Sequence, residues 1–253
     1  ASAPQAIELI ALRRQGLDLA DAKACTSLVR ELKPDWVLNA GAYTAVDRAE
    51  SEPELAQAVN AGAPAAFAEA LAATGGRLLQ VSTDFVFAGQ QGSPYRPDQP
   101  VQPLGVYGAS KAAGERAVLA ALGPGRSRIL RTSWVYGLHG KNFLLTMLRL
   151  AQTRESLSIV DDQIGAPTWS HTIAQATANI VRRFPQAEQI AERSGIYHLC
   201  ATGHTSWYGF AQAIFSHPAV HERPALQPIT TAQYPTPARR PANSVMNTER
   251  FRQ

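Results

Sequence analysis

Short apolar runs alternate with longer amphipathic segments along most of this 253-residue chain. Short runs bounded by polar, glycine or proline positions predict strands, and longer segments with apolar residues every three or four positions predict helices. The predicted strands cover residues 7–12, 35–40, 77–82, 127–132, 158–160 and 195–200. The predicted helices cover residues 21–32, 54–73, 110–122, 143–153, 168–184 and 208–217. This alternation is typical of an α/β fold with a parallel sheet.

The order of these elements predicts a Rossmann-like, doubly wound parallel sheet with a smaller C-terminal lobe that binds substrate. We expect residues 1–137 and 166–203 to form mainly the nucleotide-binding domain. Residues 138–165 and 204–253 are expected to form mainly the substrate-binding lobe. The tail from Pro224 is rich in proline and threonine, and we predict that it is an extended loop.

The start of the sequence lacks the Gly-rich turn that normally opens such a domain. A dinucleotide-binding fold begins with a strand, a G-x-G-x-x-G type turn and a helix whose N-terminus binds the pyrophosphate. That motif is not found near residue 1. We therefore expect the first strand and the turn to be missing from this sequence, which would leave an unpaired gap in the sheet and a weakened pyrophosphate site.

Composition and charge restrict the choice of partners. Mean hydropathy is −0.16, and no apolar run approaches the roughly 20 residues that a membrane span needs. The net charge of +4 suits anionic partners, but the arginines are scattered and no nucleic-acid-binding motif is present. A small molecule that carries a diphosphate is favoured. Since the two cysteines, Cys25 and Cys200, suggest no disulfide framework, we expect a reducing cytoplasm.

The spacing of Tyr107 and Lys111 in a Y-x-x-x-K motif is the first chemical signal. On a helix this spacing places both side chains on one face, one turn apart. A free tyrosine has a pKa near 10, and a neighbouring ammonium lowers that pKa by favouring the phenolate. The same spacing also occurs on ordinary exposed helix faces, so it indicates a catalytic pair only together with other motifs.

Further candidate residues lie at predicted strand ends, where the cleft of an open α/β sheet forms. Thr83 ends one strand, where its hydroxyl could hold a substrate carbonyl or simply close a turn. Small residues from Ala40 onward would let a flat cofactor approach the backbone. Arg13 follows the first apolar run, where an arginine accommodates the 2′-phosphate of NADP. A solvated basic pair with Arg14 explains Arg13 equally well.

Taken together, the motifs of this chain resemble those of the dTDP-4-dehydrorhamnose reductase family, a branch of the extended short-chain dehydrogenases. The resemblance extends over almost the whole chain, and many motifs in one order are far more specific than Y-x-x-x-K alone. The motifs include L-N-A at 38–40, T-A-V-D at 44–47, S-T-D-F-V-F at 82–87, V-Y-G at 106–108, R-T-S-W-V-Y at 131–136, G-A-P-T at 165–168 and Y-P-T-P-A-R-R-P at 234–241.

The resemblance implies reduction of the C4 keto group of dTDP-4-dehydro-L-rhamnose to dTDP-L-rhamnose, with NADPH or NADH as hydride donor. Tyr107 would protonate the C4 oxygen, Lys111 would lower the pKa of Tyr107 and bind the nicotinamide ribose, and Thr83 would assist. The residues expected to contact the substrate are Thr83, Asp84, Trp134 and Asn142, with Arg240 as a candidate for its diphosphate. The residues expected to line the cofactor are Arg13, Asp18, Leu19, Ala40, Gly41, Ala42, Tyr43, Thr44, Tyr107 and Lys111.

The resemblance leaves several points open. Some members of the family bind Mg²⁺ through glutamates between subunits, but His171 stands about where one of those glutamates is expected, so we expect no metal site. A homodimer is compatible with the family. One alternative function is that of a non-catalytic, NADP-binding regulator of the methionine adenosyltransferase regulatory-subunit type. Another is that of a nucleotide-sugar epimerase or dehydratase, which retains its nicotinamide cofactor and returns the hydride.

Overall fold

Four parallel strands form the central sheet in the computed structural model, which describes residues 7–123, 125–183 and 194–252. Their order across the sheet is β1 (Trp36–Asn39), β2 (Arg77–Thr83), β3 (Ser127–Thr132) and β8 (Gly195–His198). Every adjacent pair is parallel. The α/β class and the parallel sheet predicted from the alternation of elements are therefore confirmed.

The helices of the described residues follow the predicted pattern closely. They are α1 (Ala22–Leu32), α2 (Val46–Ala49), α3 (Pro53–Gln57), α4 (Ala63–Thr74), α5 (Val106–Leu122), α6 (Phe143–Ala151), α7 (Ser170–Arg183), α8 (Trp207–Ser216) and α9 (Glu249–Arg252). A π-helical turn, Ala58–Gly62, joins α3 to α4 within the single helix that we predicted there. Helix α5 begins four residues earlier than predicted, so Tyr107 lies in its first turn.

Helices cover both faces of the central sheet, as a doubly wound fold requires. Successive residues of a strand point to opposite faces. Leu78 and Ile129 are buried in a cluster with residues of α1, α4 and α5. The residues that follow them, Leu79 and Leu130, are buried in a different cluster with Ile180 of α7. The buried core therefore lies on the two sides of β2 and β3.

The first predicted strand is not formed, which corrects the sequence analysis. Residues 7–12 have no regular secondary structure, and Ile7, Leu9 and Ile10 are more than half exposed. Within the described residues β1 is an edge of the sheet, with β2 as its only neighbour. Because a strand is stabilised by a neighbour that pairs with its backbone, an apolar run alone does not suffice. The unpaired side of β1 is thus an edge of the sheet, and the order β1-β2-β3-β8 contains no gap.

A separate buried cluster contains Met147 of α6 and Phe210 of α8. It packs on a two-stranded parallel sheet of β5 (Ser156–Val160) and β10 (Ala225–Ile229). These elements lie within the segments that we assigned to the substrate-binding lobe. The division of the chain into a domain and a lobe stays a prediction.

The tail contains more regular structure than predicted. Strand β10 lies in the segment that we predicted to be loop, because β5 offers its backbone for pairing: Ala225 N donates to Glu155 O over 2.8 Å.

Two further short strand pairs lie before the tail. They are β4 (Val135–Tyr136) with β7 (Thr168–Trp169) and β6 (Ile164–Gly165) with β9 (Thr205–Ser206). Among the described residues, no helix has the length and apolar character needed to cross a membrane.

Candidate active site

Thr83 and Tyr107 meet at the carboxyl edge of the central sheet. Thr83 is the last residue of β2, and the carboxyl ends of parallel strands line the cleft of this fold. Tyr107 approaches from the first turn of α5, and its ring packs edge-on against Phe85 with a centroid distance of 5.5 Å. A hydrogen bond links the side chains of Thr83 and Tyr107. The two hydroxyls that the sequence analysis singled out are therefore neighbours.

The Thr83 hydroxyl is also held by the residues that follow it. It donates to Asp84 Oδ1 over 3.0 Å and accepts the Phe85 N–H over 3.2 Å. Asp84 is buried, and burial raises the pKa of its carboxyl to about 6, against the opposing effects of hydrogen bonds from Ser244 and Thr83. A carboxyl group that titrates close to neutral pH is therefore in direct contact with Thr83.

The pKa of Tyr107 is raised to about 12, which is opposite to the lowering that we expected from Lys111. Burial is the main cause, since it disfavours the phenolate, and the charge of Asp84 acts in the same direction. Within this arrangement Tyr107 holds its proton at neutral pH. A tyrosine in that state can act as a proton donor but not as a base.

The Lys111 ammonium is buried beside the sheet. Its Nζ donates to the carbonyl oxygen of Val81 over 2.7 Å. Burial lowers the pKa of Lys111 to about 8, and the nearby Glu115 carboxylate opposes that shift. The group therefore still carries its charge at pH 7, on the helix that bears Tyr107.

A buried ion pair lies one turn further along α5. The Glu115 carboxylate accepts Arg131 Nε over 2.9 Å and a second Arg131 nitrogen over 2.6 Å, and it also accepts the Ser82 hydroxyl over 2.5 Å. The side chains of Glu115 and Arg131 are both almost fully buried. These contacts connect α5 to β2 and β3 beside Thr83. We did not predict this pair from the sequence, although Glu115 continues the four-residue spacing of Tyr107 and Lys111.

The candidate cofactor loop, residues 40–44, is fixed to the same helix by Asn60. Tyr43 N donates to Asn60 Oδ1 over 2.9 Å, and Asn60 Nδ2 donates to Tyr43 O and to Ser110 Oγ, both over 3.1 Å. Asn60 lies on the π-helical turn, a feature that often marks functional sites. Gly41 is tightly approached as well, since a Cβ there would lie 2.5 Å from Leu19 Cδ1. Asn60 was not among the residues predicted from the sequence, because a π-helical turn has no simple sequence signal.

The residues expected at the adenosine end of the cofactor lie in the exposed segment before α1. Asp18 Oδ1 accepts the Ala20 N–H over 3.0 Å, and Arg14 lies 3.9 Å from the same carboxylate. Arg13 is exposed. Leu19 reaches the Gly41 loop, whereas the contact of Arg13 with a 2′-phosphate stays a prediction.

Trp134 is enclosed by aromatic and small neighbours on the candidate substrate side. Its ring stacks on Trp207 at a centroid distance of 3.6 Å and an interplanar angle of 6°. Its backbone has a φ of 46°, a conformation that is uncommon outside glycine. Gly165 lies against the same ring, and a Cβ there would be 2.6 Å from Trp134 Nε1. Gly165 is therefore required for the observed position of the Trp134 ring.

Two other residues expected to contact substrate, Asn142 and Arg240, form side-chain hydrogen bonds within the protein. The Asn142 side chain caps α6 by accepting the Leu145 N–H over 3.1 Å, and it donates to Gly137 O over 2.9 Å. Arg240 binds both carboxylate oxygens of Asp47, at 3.1 and 2.8 Å. The structure thus gives Asn142 and Arg240 structural partners, and direct contact of either residue with substrate stays a prediction.

A small cavity of about 10 Å³ opens beside Tyr107. Charged side chains line it at two places, Glu50 and Arg239. Glu50 Oε1 accepts the N–H of Val106, the first residue of α5, over 2.9 Å. Gly105, before it, offers no side chain to cap that helix. Neither Glu50 nor Arg239 was among the residues selected from the sequence.

Comparison with known proteins agrees with this geometry. The family model described as RmlD substrate binding domain matches residues 1–253. A dTDP-4-dehydrorhamnose reductase of Burkholderia thailandensis is 44% identical over 97% of this chain and 84% of its own. That of Escherichia coli K12 is 42% identical over 93% of this chain and 79% of its own. The chain belongs to the dTDP-4-dehydrorhamnose reductase family.

Solved structures within the family support the same assignment. The dTDP-4-dehydrorhamnose reductase of Bacillus anthracis, crystallised in complex with NADP, has a TM-score of 0.86 and 34% identity. The match covers 95% of this chain and 82% of that one. An orthologue from Clostridium acetobutylicum gives the same TM-score and identity, over 94% of this chain and 81% of that one. The Rossmann-like fold and the family resemblance predicted from the sequence are confirmed.

In this member of the family, the structure brings Thr83, Asp84, Tyr107 and Lys111 together at the end of β2 and the start of α5. Their individual roles stay predictions. Among the described residues no group of three or more metal-ligating side chains is found. His171, which stands about where one of the family's metal-binding glutamates is expected, lies in an aromatic contact with Trp169 at 4.8 Å between ring centroids.

Proposed function

We propose that this chain catalyses the reaction of its family, the NADPH-dependent reduction of the C4 keto group of dTDP-4-dehydro-L-rhamnose to dTDP-L-rhamnose. One observation carries the proposal: a partly buried, protonated tyrosine, Tyr107, contacts the Thr83 hydroxyl at the carboxyl edge of a parallel sheet. The names of the relatives favour a reductase over a non-catalytic regulator of the same superfamily.

Reduction of a keto group requires a hydride at carbon and a proton at oxygen. When bound, the nicotinamide cofactor supplies the hydride. Tyr107 supplies the proton, because its raised pKa keeps the hydroxyl protonated until charge develops on the C4 oxygen. The phenolate that remains is stabilised by a nearby cation, and Lys111 lies one helical turn away on α5.

The residues present fit the nicotinamide half of the cofactor. Loop 40–44 combines small residues with a backbone that Asn60 fixes, and Lys111 lies on the adjoining helix. Asp18, Leu19 and Arg13 would hold the adenosine half. We propose NADPH rather than NADH, since an arginine in the position of Arg13 suits a 2′-phosphate and the Bacillus anthracis structure holds NADP.

We also propose the domain assignment given above, a dTDP-sugar as the binding partner, and a cytoplasmic location. The unpaired thiols of Cys25 and Cys200 support a reducing compartment. A homodimer is proposed from the family resemblance, and size-exclusion chromatography with light scattering tests it.

The reaction is tested by mixing the purified protein with NADPH and dTDP-4-dehydro-L-rhamnose and following the nicotinamide absorbance. We expect stoichiometric loss of NADPH and formation of dTDP-L-rhamnose. Tyr107→Phe should abolish turnover and leave the Kd for NADPH largely unchanged, because only the proton donor is removed. Retained turnover in Tyr107→Phe would refute the role of Tyr107.

The same assay separates the alternatives. An epimerase or dehydratase would convert the sugar without net loss of NADPH, and a regulator would bind NADPH without turnover. The choice of cofactor is tested with Arg13→Asp, which should shift the NADPH-to-NADH preference of kcat/KM toward NADH. If that ratio does not move, Arg13 is only a surface charge, and the 2′-phosphate is bound by another group.

A further inference from the structure

We infer that Arg239 binds the diphosphate of the sugar-nucleotide substrate, and that the neighbouring pair of Asp47 and Arg240 holds the segment that presents it. This inference rests on the proposed reductase function and names the residue that recognises the anionic part of its substrate. It replaces Arg240, the candidate that the sequence analysis selected from the same Arg-Arg pair.

The two adjacent arginines have different surroundings. Arg240 is committed to Asp47 through two nitrogens, and it also donates to Ala238 O over 3.1 Å. Arg239 is exposed, lines the cavity beside Tyr107, and makes no ion pair with any described residue. Only Arg239 therefore has its guanidinium available for an anion.

The backbone on both sides of Arg239 is fixed. Before it, Ala238 N donates to Asp47 Oδ1 over 3.2 Å, and after it Arg240 binds the same carboxylate. Next comes Pro241, which packs so closely on Gly89 that a Cβ at Gly89 would lie 2.5 Å from the Pro241 Cα. Gly89 has a φ of 74°, which also favours glycine. A side chain presented from a fixed backbone loses less conformational freedom on binding.

The size and position of the cavity indicate where the parts of the substrate lie relative to it. Its volume of about 10 Å³ is room for roughly one water molecule, far below the range of roughly 300–1,000 Å³ typical of sites for a whole drug-sized ligand. Tyr107 lies in its lining and must reach the keto sugar, so the sugar lies against the mouth of the cavity and not inside it. The diphosphate is joined to that sugar and therefore lies at the exposed rim, where Arg239 is found.

The chemistry of the rim suits a diphosphate. A guanidinium binds phosphate oxygens through two parallel N–H donors, and such charge-assisted bonds are stronger than neutral ones. The carboxylate of Glu50 also lines the cavity, but its Oε1 is engaged with the N-terminal N–H of α5. Because a helix N-terminus carries a partial positive charge, that contact compensates part of the negative charge of Glu50.

Binding of thymidine diphosphate, measured by isothermal titration calorimetry, tests the inference without turnover. Arg239→Ala should raise the Kd for thymidine diphosphate and the KM for the keto sugar nucleotide by about 10- to 100-fold, because a charge-assisted contact is lost. Its Kd for NADPH should stay unchanged. Arg239→Lys keeps the charge without the paired donors and should show a smaller increase. Arg30→Ala, an exposed arginine of α1, is the matched control and should change none of these values.

The outcomes separate this inference from the proposed function. If the unsubstituted protein reduces the keto sugar but Arg239→Ala binds thymidine diphosphate as tightly as before, the inference about Arg239 is wrong and the reductase function stands. If Arg239→Ala weakens NADPH instead, Arg239 serves the cofactor, and the inference is again overturned. If the unsubstituted protein binds thymidine diphosphate through Arg239 but consumes no NADPH, the reductase function fails.

Discussion

The single proton of the Thr83 hydroxyl is donated to Asp84 Oδ1, over 3.0 Å. A threonine hydroxyl has one donor and two acceptor positions, and here one acceptor position already takes the Phe85 N–H. While Asp84 is ionised, Thr83 can therefore accept a hydrogen bond from Tyr107 but cannot donate one to a substrate carbonyl. When Asp84 is protonated, it can itself donate to Thr83, which frees the Thr83 proton for the C4 oxygen.

This relationship predicts a pH dependence of turnover. Burial raises the pKa of Asp84 to about 6, whereas the pKa values of the neighbouring Tyr107 and Cys200 lie at about 12 and 11, so these two groups do not titrate nearby. We expect kcat to fall as pH rises through about 6. In Asp84→Asn the amide can donate to Thr83 at every pH, so this fall should disappear. An unchanged kcat profile in Asp84→Asn would show that Thr83 does not donate to the substrate.

The same substitution has a consequence for stability. The folded-state pKa of Asp84 is raised, so the folded protein binds more protons than the unfolded chain between about pH 4 and 6. The free energy of unfolding of the wild-type protein therefore falls as pH rises through that window. Above pH 6, Asp84→Asn should therefore have the higher free energy of unfolding, and urea titrations at pH 4 and pH 7.5 measure the difference. A difference that does not grow with pH would contradict the raised pKa.

Lys111→Met should abolish turnover and stabilise the fold. A buried ammonium whose pKa falls from 10.5 to about 8 lowers the free energy of unfolding by about 3 kcal/mol at pH 7. Replacing Lys111 removes this cost, but it also removes the hydrogen bond from Lys111 to Val81 O, which offsets part of the gain. Below pH 8 the stabilisation should be constant, and between pH 8 and 10.5 it should decrease, because the folded wild-type protein has released its proton there whereas the unfolded chain still holds it. Thermal and urea unfolding measure it, and a less stable Lys111→Met at pH 7 would contradict this account.

Gly165→Ala should raise the KM for the sugar nucleotide. The added Cβ would collide with the Trp134 ring, which is held between Gly165 and Trp207, so the ring must move. The matched control is Gly92→Ala, at an exposed position where a Cβ meets no atom within 4 Å. Steady-state kinetics on both variants tests the role of Trp134, and equal KM values would show that its position does not affect substrate binding.

Glu115→Gln should destabilise the protein by about 3–5 kcal/mol, since it leaves the buried Arg131 guanidinium without its counter-charge. The exposed Glu69 of α4 provides the control, because Glu69→Gln should change stability by less than about 0.5 kcal/mol. Urea unfolding of the two variants compares them directly. A loss below about 1 kcal/mol in Glu115→Gln would show that Arg131 finds other partners.

The class of fold and the central chemical residues follow from local patterns in the sequence. Apolar runs and amphipathic segments report local burial, so the strands β1, β2, β3 and β8 and most helices could be predicted from their periodicity. Thr83, Tyr107 and Lys111 could be found because a strand end and a helical four-residue spacing are local patterns. The motifs along the chain were specific enough to indicate the family.

Contacts made in the folded protein set which of these groups are free and how they titrate. Two adjacent arginines look alike in sequence, yet Arg240 is bound by Asp47, which is almost two hundred residues away in the chain, and Arg239 is not. The apolar run at residues 7–12 forms no strand, because pairing depends on a neighbour that the run itself does not contain. The pKa of Tyr107 rises rather than falls, since burial outweighs the effect expected from helical spacing. These properties depend on contacts between distant segments, and a pattern of nearby residues does not record them.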